Sequence, residues 1–210
     1  MLHFSNFSKS YGANTVLRIN DFTIEPGIYW LHGPNGSGKS TLLKSIGGLL
    51  FFEGELLLDC INLKRDSTNY KRKVNFGDAE PIFPEFLTGT EMISLFEEAK
   101  NAPAKQVDDL IEGMNMHAYL HEPLGSYSSG MLKKLSLVLA FVGNPKLILL
   151  DEPLNTIDQA SLAVLYQFIK DKHEEGEISF LLSSHQPLDK QALPQIKELL
   201  IDQRTINLFN

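Results

Sequence analysis

The chain has 210 residues, 43% of them hydrophobic, which suits one sizeable α/β domain and argues against intrinsic disorder. A formal net charge of −7 argues against nonspecific binding to nucleic acid, which usually needs a basic face. The only cysteine, Cys60, excludes an intrachain disulfide, and we expect it to be a small, partly buried residue. No signal peptide is recognisable and no apolar run approaches the ~20 residues that cross a bilayer, so any membrane role is expected to come through a partner.

The first third of the chain predicts strands on both sides of a glycine-rich loop. Residues 2–7, 21–24 and 54–59 alternate apolar and polar side chains, as half-buried antiparallel strands do. Residues 28–32 predict a buried strand, and residues 40–46 predict the opening of a helix. The loop between this buried strand and this helix is therefore a strand-to-helix connection.

That loop fits the phosphate-binding pattern G-x-x-x-x-G-K-[ST] without a mismatch. Its glycines let successive backbone N–H groups surround phosphate oxygens at the N-terminus of a helix. Lys39 would supply charge to the β- and γ-phosphates, Ser40 a hydroxyl to Mg²⁺, and Thr41 a contact to the α-phosphate. A plain glycine-rich turn is the alternative, but the flanking strand and helix favour a nucleoside triphosphate site. The predicted binding residues are Gly33, Pro34, Asn35, Gly36, Ser37, Gly38, Lys39, Ser40 and Thr41.

The middle of the chain predicts a helical insert. Prolines separate segments with helical spacing, such as residues 91–100 and 106–116, and a further helix is predicted over residues 131–142. Strand patterns return at 147–150 and 178–182, on either side of a helical pattern over 159–173.

The predicted fold class is α/β: a P-loop NTPase core with a mostly parallel sheet, an antiparallel β subdomain and an inserted α-helical subdomain. We expect one domain over residues 1–210, with its core in 1–77 and 145–210 and the insert in 78–144.

Two carboxylates follow the apolar strand 147–150 directly. Asp151 and Glu152 are therefore expected at the carboxyl edge of the sheet, where ligands of open α/β sheets bind. Asp151 is placed to hold Mg²⁺, and Glu152 is the candidate base for an attacking water. A solvated turn would explain the same residues if they stood alone.

With these motifs in order, the whole chain resembles the ATP-binding cassette family, specifically the nucleotide-binding subunits of membrane transporters. Residues 147–153 are similar to the family's Walker B segment and catalytic glutamate, and residues 155–158, ending in Asp158, to its D-loop. His185 stands where the family carries its switch histidine. Residues 127–131 lie where the family has its LSGGQ signature, and Tyr11 where an aromatic side chain stacks on adenine.

The resemblance implies roles for these residues. Ser128, Ser129 and Gly130 would reach the γ-phosphate bound by an opposite subunit, although they would also serve as a simple helix N-cap. His185 would sense the γ-phosphate and the water, and with Glu152 and Lys39 would complete the catalytic set; a structural histidine is the alternative. For Tyr11, ordinary packing is the alternative to adenine stacking.

The sequence departs from the family's pattern at two places. The family's glutamine between core and insert is replaced by Asp78, counted back from Phe83-Pro84, with Glu80 as the other candidate. Asp78 would take a water on Mg²⁺ and add negative charge near the γ-phosphate. In the signature, Tyr127, Ser129 and Met131 replace the usual leucine, glycine and glutamine. A group of apolar residues follows Asp78: Ile82, Phe83, Phe86 and Leu87. These side chains could form a surface that docks a helix of a membrane subunit, or they could pack inside the insert.

The resemblance implies an ATPase subunit that binds ATP and Mg²⁺ and drives transport through a separate transmembrane permease by ATP-dependent dimerisation with a second cassette subunit. It would be cytoplasmic, held on the inner face of the cell membrane by its partner, and no nucleic acid is expected. One alternative is a soluble cassette ATPase that acts on nucleic acid or ribosomes. The other is a low-turnover, ATP-binding regulatory subunit, which Asp78 and the changed signature suggest.

Overall fold

The computed structural model describes residues 1–176 and 178–209, so Glu177 and Asn210 of the predicted core range lie outside the described part. Strands and helices are mixed along the chain, as in an α/β protein. They are β1 (Leu2–Tyr11), β2 (Asn14–Ile24), β3 (Ile28–His32), α1 (Lys39–Ile46), β4 (Glu53–Leu58), β5 (Ile61–Asn62), α2 (Ser67–Lys73), β6 (Val74–Gly77), α3 (Gly89–Lys100), α4 (Asp108–Gly113), α5 (Ser129–Ala140), β7 (Leu147–Leu150), α6 (Gln159–Gly176), β8 (Ser179–Ser183), β9 (Lys197–Asp202) and β10 (Thr205–Phe209).

Two sheets organise the fold. The smaller sheet is antiparallel, with strand order β2-β1-β4-β5, and the larger has the order β10-β9-β3-β8-β7-β6. In the larger sheet β3 pairs in parallel with β8 and β9, and β7 pairs in parallel with β6 and β8; the β9–β10 pair is antiparallel. The predicted fold class is confirmed. Because the parallel strands end at one edge, the residues that follow β3, β6, β7 and β8 are brought together there.

The larger sheet separates two hydrophobic cores. Ile148 and Leu150 of β7 face a core built with the helices of the middle segment, whereas Leu147 and Leu149 face a core shared with α1 and the antiparallel sheet. A strand buried on both faces needs apolar side chains at every position, which explains the continuous run at 147–150.

Several boundaries differ from the sequence predictions. The helix expected over residues 106–116 is limited to α4, because Asn115 adopts a left-handed φ of 55° that ends it. The helix expected from residue 131 begins at Ser129, with Ser128 as its N-cap. Cys60 is exposed in the turn between β4 and β5, with a φ of 68°, so the expectation of partial burial is wrong.

Candidate active site

The loop between β3 and α1 is shaped by its glycines. A Cβ at Gly33, whose φ is 149°, would stand 2.6 Å from the carbonyl oxygen of Ile201, so no larger residue fits. Gly38 has a φ of 107°, and a Cβ there would press on Val16 and Leu17 at 3.0 to 3.2 Å. Glycine at these two positions therefore lets the chain enter α1 in the conformation of an anion-binding loop.

Lys39 lies across this loop. Its Nζ donates to the carbonyl oxygens of Gly33 and Pro34, at 2.9 and 3.2 Å. Burial lowers the pKa of Lys39, while the charges of Glu152 and Asp151 act in the opposite direction. The ammonium thus sits among carbonyl groups on one side and carboxylates on the other, at the position where the sequence predicts a phosphate contact.

Asp151 joins α1 to the ends of β7 and β8. Its Oδ1 accepts hydrogen bonds from Ser40 Oγ at 3.0 Å and Ser183 Oγ at 2.6 Å, and its side chain is buried. A hydroxyl and a carboxylate in contact are the hard oxygen donors that Mg²⁺ takes beside the phosphates of a nucleotide. Ser40 and Asp151 therefore fit the predicted metal site.

Glu152 is paired with His185. Glu152 Oε1 lies 3.1 Å from His185 Nε2, and the Glu152 backbone N–H donates to Ser183 Oγ at 3.0 Å. Glu152 has a left-handed φ of 46°, a conformation that costs a non-glycine residue free energy and is concentrated at functional sites. The structure thus brings the predicted base and the predicted switch histidine into direct contact.

A cavity of about 340 Å³ connects these groups. Its walls are formed by the glycine-rich loop, the start of α1 and the Glu152–His185 pair: Val16, Asn35, Gly36, Gly38, Lys39, Ser40, Thr41, Glu152 and His185. The Ser37 hydroxyl nearby is buried without a hydrogen-bond partner in the described part of the chain. Backbone N–H groups, an ammonium and an unpaired hydroxyl suit the phosphates of a nucleotide.

The signature residues lie at the beginning of α5 and do not line this cavity. Ser128 is exposed, and its Oγ accepts the N–H of Met131 at 3.3 Å, as an N-cap does. A Cβ at Gly130 would stand 2.8 Å from the carbonyl oxygen of Thr156, so this glycine permits close contact with the segment after Glu152. Ser129 is the first, exposed residue of the helix. The contact of the signature residues with a γ-phosphate bound by an opposite subunit therefore stays a prediction.

Asp158 is occupied by contacts within the chain. Its carboxylate accepts from Ser161 N and Ser161 Oγ, at 2.8 and 2.9 Å, and from Lys134 Nζ at 2.7 Å. The hydrogen bond from Lys134, with that from the Ser161 backbone, holds the pKa of Asp158 well below its usual range. The described contacts of Asp158 are thus those of a helix N-cap and an ion pair.

Two further predicted residues lie outside the cavity walls. Tyr11 is half-exposed at the tip of the β1–β2 hairpin, with Lys9 Nζ 4.5 Å from its ring centre. Asp78 follows β6, and its carboxylate pairs with Lys44 at 3.1 Å. Lys44 lies one turn after Ser40 on α1, so this ion pair joins Asp78 to the helix that carries Ser40. Glu80 is exposed and donates its backbone N–H to Asp78 Oδ1.

Three residues near the site were missed by sequence reasoning: Ser183, Lys44 and Lys133. Ser183 bridges the two neighbouring carboxylate residues, and its signal was a small hydroxyl residue at the end of an apolar strand. Lys133 is 1% exposed, and burial lowers its pKa to about 8. Nothing in the sequence around either lysine distinguishes it from a surface lysine.

The apolar set after Asp78 divides into two pairs. Ile82 and Phe86 are 95% and 81% exposed, whereas Phe83 and Leu87 pack against the core on the helical side. Within residues 1–176 and 178–209, no helix combines the length and the apolar character that spanning a bilayer requires.

A glycine-rich loop after β3, with two carboxylates at the end of β7 in the same parallel sheet, defines a P-loop nucleotide-binding domain. The chain belongs to the ABC transporter family, whose family model matches residues 17–155. The resemblance stated from the sequence motifs is confirmed.

Known relatives agree with this assignment. The ABC transporter ATP-binding protein YtrB of Bacillus subtilis is 30% identical over 100% of this chain and 72% of its own length. The cytochrome c biogenesis ATP-binding export protein CcmA of Legionella pneumophila is 35% identical over 78% of this chain and 82% of its own. Against three other curated relatives, the chain spans only 59 to 62% of the relative's length.

Solved structures share the fold. A dimeric bacterial ABC transporter cassette superposes with a TM-score of 0.85 at 22% identity, over 99% of this chain and 97% of that one. At this identity the likeness concerns the fold alone.

Proposed function

We propose that this chain is the ATP-binding and ATP-hydrolysing subunit of a membrane ABC transporter. The observation that carries the proposal is the Glu152–His185 pair, 3.1 Å apart, at the wall of a cavity that also contains Lys39. A base beside a phosphate-binding loop is the arrangement that hydrolysis of a nucleoside triphosphate needs.

The residues divide the chemistry among them. The glycine-rich loop and Lys39 bind the phosphates. To do so, Lys39 gives up its hydrogen bonds to the carbonyl groups of Gly33 and Pro34 and donates to phosphate oxygens instead. Ser40 and Asp151 would hold Mg²⁺, which would neutralise charge on the phosphates when bound. Glu152 accepts the proton of the attacking water, so that ATP and water become ADP and phosphate. His185 fixes the Glu152 carboxylate through Nε2.

Hydrolysis requires a second cassette in this proposal. Ser128, Ser129 and Gly130 carry donors at the start of α5 but do not line the cavity of their own chain. The similar cassette described above is dimeric, which supports a pair of chains with two nucleotides between them. In such a pair, each Ser128 faces the phosphate bound by the opposite subunit, and Asp158 lies close to the interface.

The partner is a transmembrane permease subunit on a separate chain. Ile82 and Phe86 support this, because two large apolar side chains exposed within one short segment suit a protein–protein contact. The segment follows Asp78, so movement of a docked partner reaches the nucleotide site along the chain. The insert, residues 78–144, is the subdomain expected to move, and the permease would hold the protein at the inner face of the membrane.

Glu152→Gln tests the proposal. We expect phosphate release from ATP to fall at least ~100-fold, in the range of general-base catalysis, while ATP binding persists. In the variant, ATP without hydrolysis should also stabilise a dimer, which light scattering would detect. Unchanged turnover would remove Glu152 from the role of base, and a variant that stays monomeric with ATP would contradict the two-cassette arrangement. Isolation from native membranes should recover a polytopic partner.

One observation favours a second function, an ATP-binding regulatory subunit with low turnover. Asp78 stands where the family carries glutamine, and its carboxylate is engaged by Lys44 at 3.1 Å. A carboxylate that is engaged by a lysine is less available to order the water than a free glutamine amide. A wild-type rate of ATP hydrolysis no higher than the background rate without protein, with ATP binding retained, would support this function.

A further inference from the structure

Lys133 is a buried lysine beside the predicted metal site. It lies in the second turn of α5 and is 1% exposed, although lysine is almost never fully buried without a partner. Its Nζ donates to the carbonyl oxygens of Asp78 and Asp151, at 2.8 and 2.7 Å. Both partners are backbone groups of residues that the sequence places at the metal site.

The two carbonyl groups belong to neighbouring strand ends. Asp78 follows β6 and Asp151 follows β7, and these strands pair in parallel from Val74↔Leu147 to Gly77↔Leu150. The Asp151 N–H donates to the Gly77 carbonyl at 2.9 Å, which continues the pairing by one residue. Beyond that point, Lys133 holds the strand ends together through its ammonium.

The third segment joined at this point is α5, which begins with the signature residues and is called the signature helix below. Lys133 is five residues after Ser128, the N-cap of α5. A displacement of α5 therefore moves the ammonium that fixes the backbone of Asp151. Because the main-chain position of Asp151 determines where its carboxylate meets Ser40, the metal site depends on the position of α5.

We propose that Lys133 is a positioning residue that couples the signature helix to the Mg²⁺-binding end of β7. Through Lys133, the affinity for the Mg²⁺-bound nucleotide depends on the position of α5. The affinity for the nucleotide without Mg²⁺ does not. This inference rests on the proposed function, since it concerns the metal held by Ser40 and Asp151.

The chain contains a matched control at the opposite end of β6. Lys100 of α3 is partly buried, and its Nζ donates to the carbonyl oxygens of Lys71 and Val74, at 2.5 and 3.0 Å. Each lysine thus closes one end of the same strand with two backbone hydrogen bonds. Only Lys133 is next to the predicted metal site.

The test compares Lys133→Met with Lys100→Met, which remove the ammonium and keep an unbranched side chain. The readout is the Kd for fluorescently labelled ADP, measured once with excess Mg²⁺ and once with EDTA. We expect Lys133→Met to weaken binding with Mg²⁺ by ~10-fold or more, as loss of a group that orients a metal ligand does, and to leave the EDTA value within ~2-fold. Lys100→Met should keep the wild-type ratio of the two values.

Two results would overturn the inference. Either Lys133→Met keeps the wild-type ratio of the Kd with Mg²⁺ to the Kd with EDTA, or Lys100→Met changes this ratio as much as Lys133→Met does. Urea unfolding identifies a Lys133→Met variant that does not fold. Lys133→Gln, which keeps a donor on a shorter side chain, would then be measured in its place and should show a smaller loss of the same sign. Failure of the proposed function gives a different result: wild type would then hydrolyse no ATP, whereas wild type that binds ADP without any dependence on Mg²⁺ would refute the metal site itself.

Discussion

The contacts of Asp158 predict how much this one side chain stabilises the fold. Its carboxylate caps α6 by accepting from the Ser161 backbone N–H at 2.8 Å and the Ser161 hydroxyl at 2.9 Å, and it pairs with Lys134 at 2.7 Å. Asp158→Ala removes both interactions. Asp158→Asn keeps an oxygen that can accept the backbone hydrogen bond but removes the charge, so the two variants separate the cap from the ion pair.

The magnitudes follow from the exposure of the group. Loss of a side-chain cap costs ~1 kcal/mol, and an ion pair whose acid is 54% exposed contributes ~0.5 kcal/mol. Asp158→Ala should therefore lower the free energy of unfolding by ~1.5 kcal/mol, and Asp158→Asn by ~0.5 kcal/mol. For a domain of this size, these values correspond to decreases in Tm of ~3–6 °C and ~1–2 °C.

The pH dependence gives a second check. Because the folded state lowers the pKa of Asp158, the charge-dependent part of its contribution is complete at neutral pH and is lost as pH falls below the unfolded pKa of ~3.9 towards the lower folded pKa. Thermal unfolding measured between pH 7 and pH 3 should show a smaller difference in stability between wild type and Asp158→Ala in acid, where the cap remains. An Asp158→Asn variant as unstable as Asp158→Ala at pH 7 would refute the assignment of the larger share to the cap.

Three other substitutions have defined outcomes. Ser183→Ala removes the hydroxyl that joins Asp151 and Glu152, so kcat for ATP should fall ~10–100-fold; an unchanged kcat would exclude a supporting role. Gly130→Ala places a Cβ 2.8 Å from the carbonyl oxygen of Thr156, so the start of α5 must move away. The ATP-dependent dimer measured by light scattering should weaken while the affinity for ADP remains; a normal dimer would show that α5 tolerates this movement. Asn75→Ala leaves the carbonyl groups of Ala140 and Val142, at the end of α5, without this donor and should cost ~2 kcal/mol in urea unfolding; a loss below ~0.5 kcal/mol would mean that water replaces the amide.

The parts of the site that local sequence determines were predictable. The loop at residues 33–40 is specified by glycines and by its position between an apolar strand and a helix, and the structure has this arrangement. Asp151 and Glu152 follow an apolar strand, and parallel pairing places them at the same edge as the loop. These inferences need only periodicity and the rule that parallel strands end together.

The contacts that depend on distant segments were not predictable. Nothing near residue 44 or residue 133 in the sequence indicates that one lysine meets Asp78 and that the other reaches two backbone carbonyl groups. The β9–β10 hairpin was missed because its turn residues, Gln203 and Arg204, have positive φ angles without the usual asparagine or glycine. The helix α2 buries only Tyr70, so it has no apolar stripe to detect.

The two-sided burial of β7 has a consequence for how the sequence can change. Neighbouring residues such as Ile148 and Leu149 occupy different interiors, separated by the sheet itself. A change of volume at one of them is compensated by partners on its own side only. Across an alignment of relatives, we expect adjacent positions of this strand to vary independently of each other, while each covaries with residues far away in the chain.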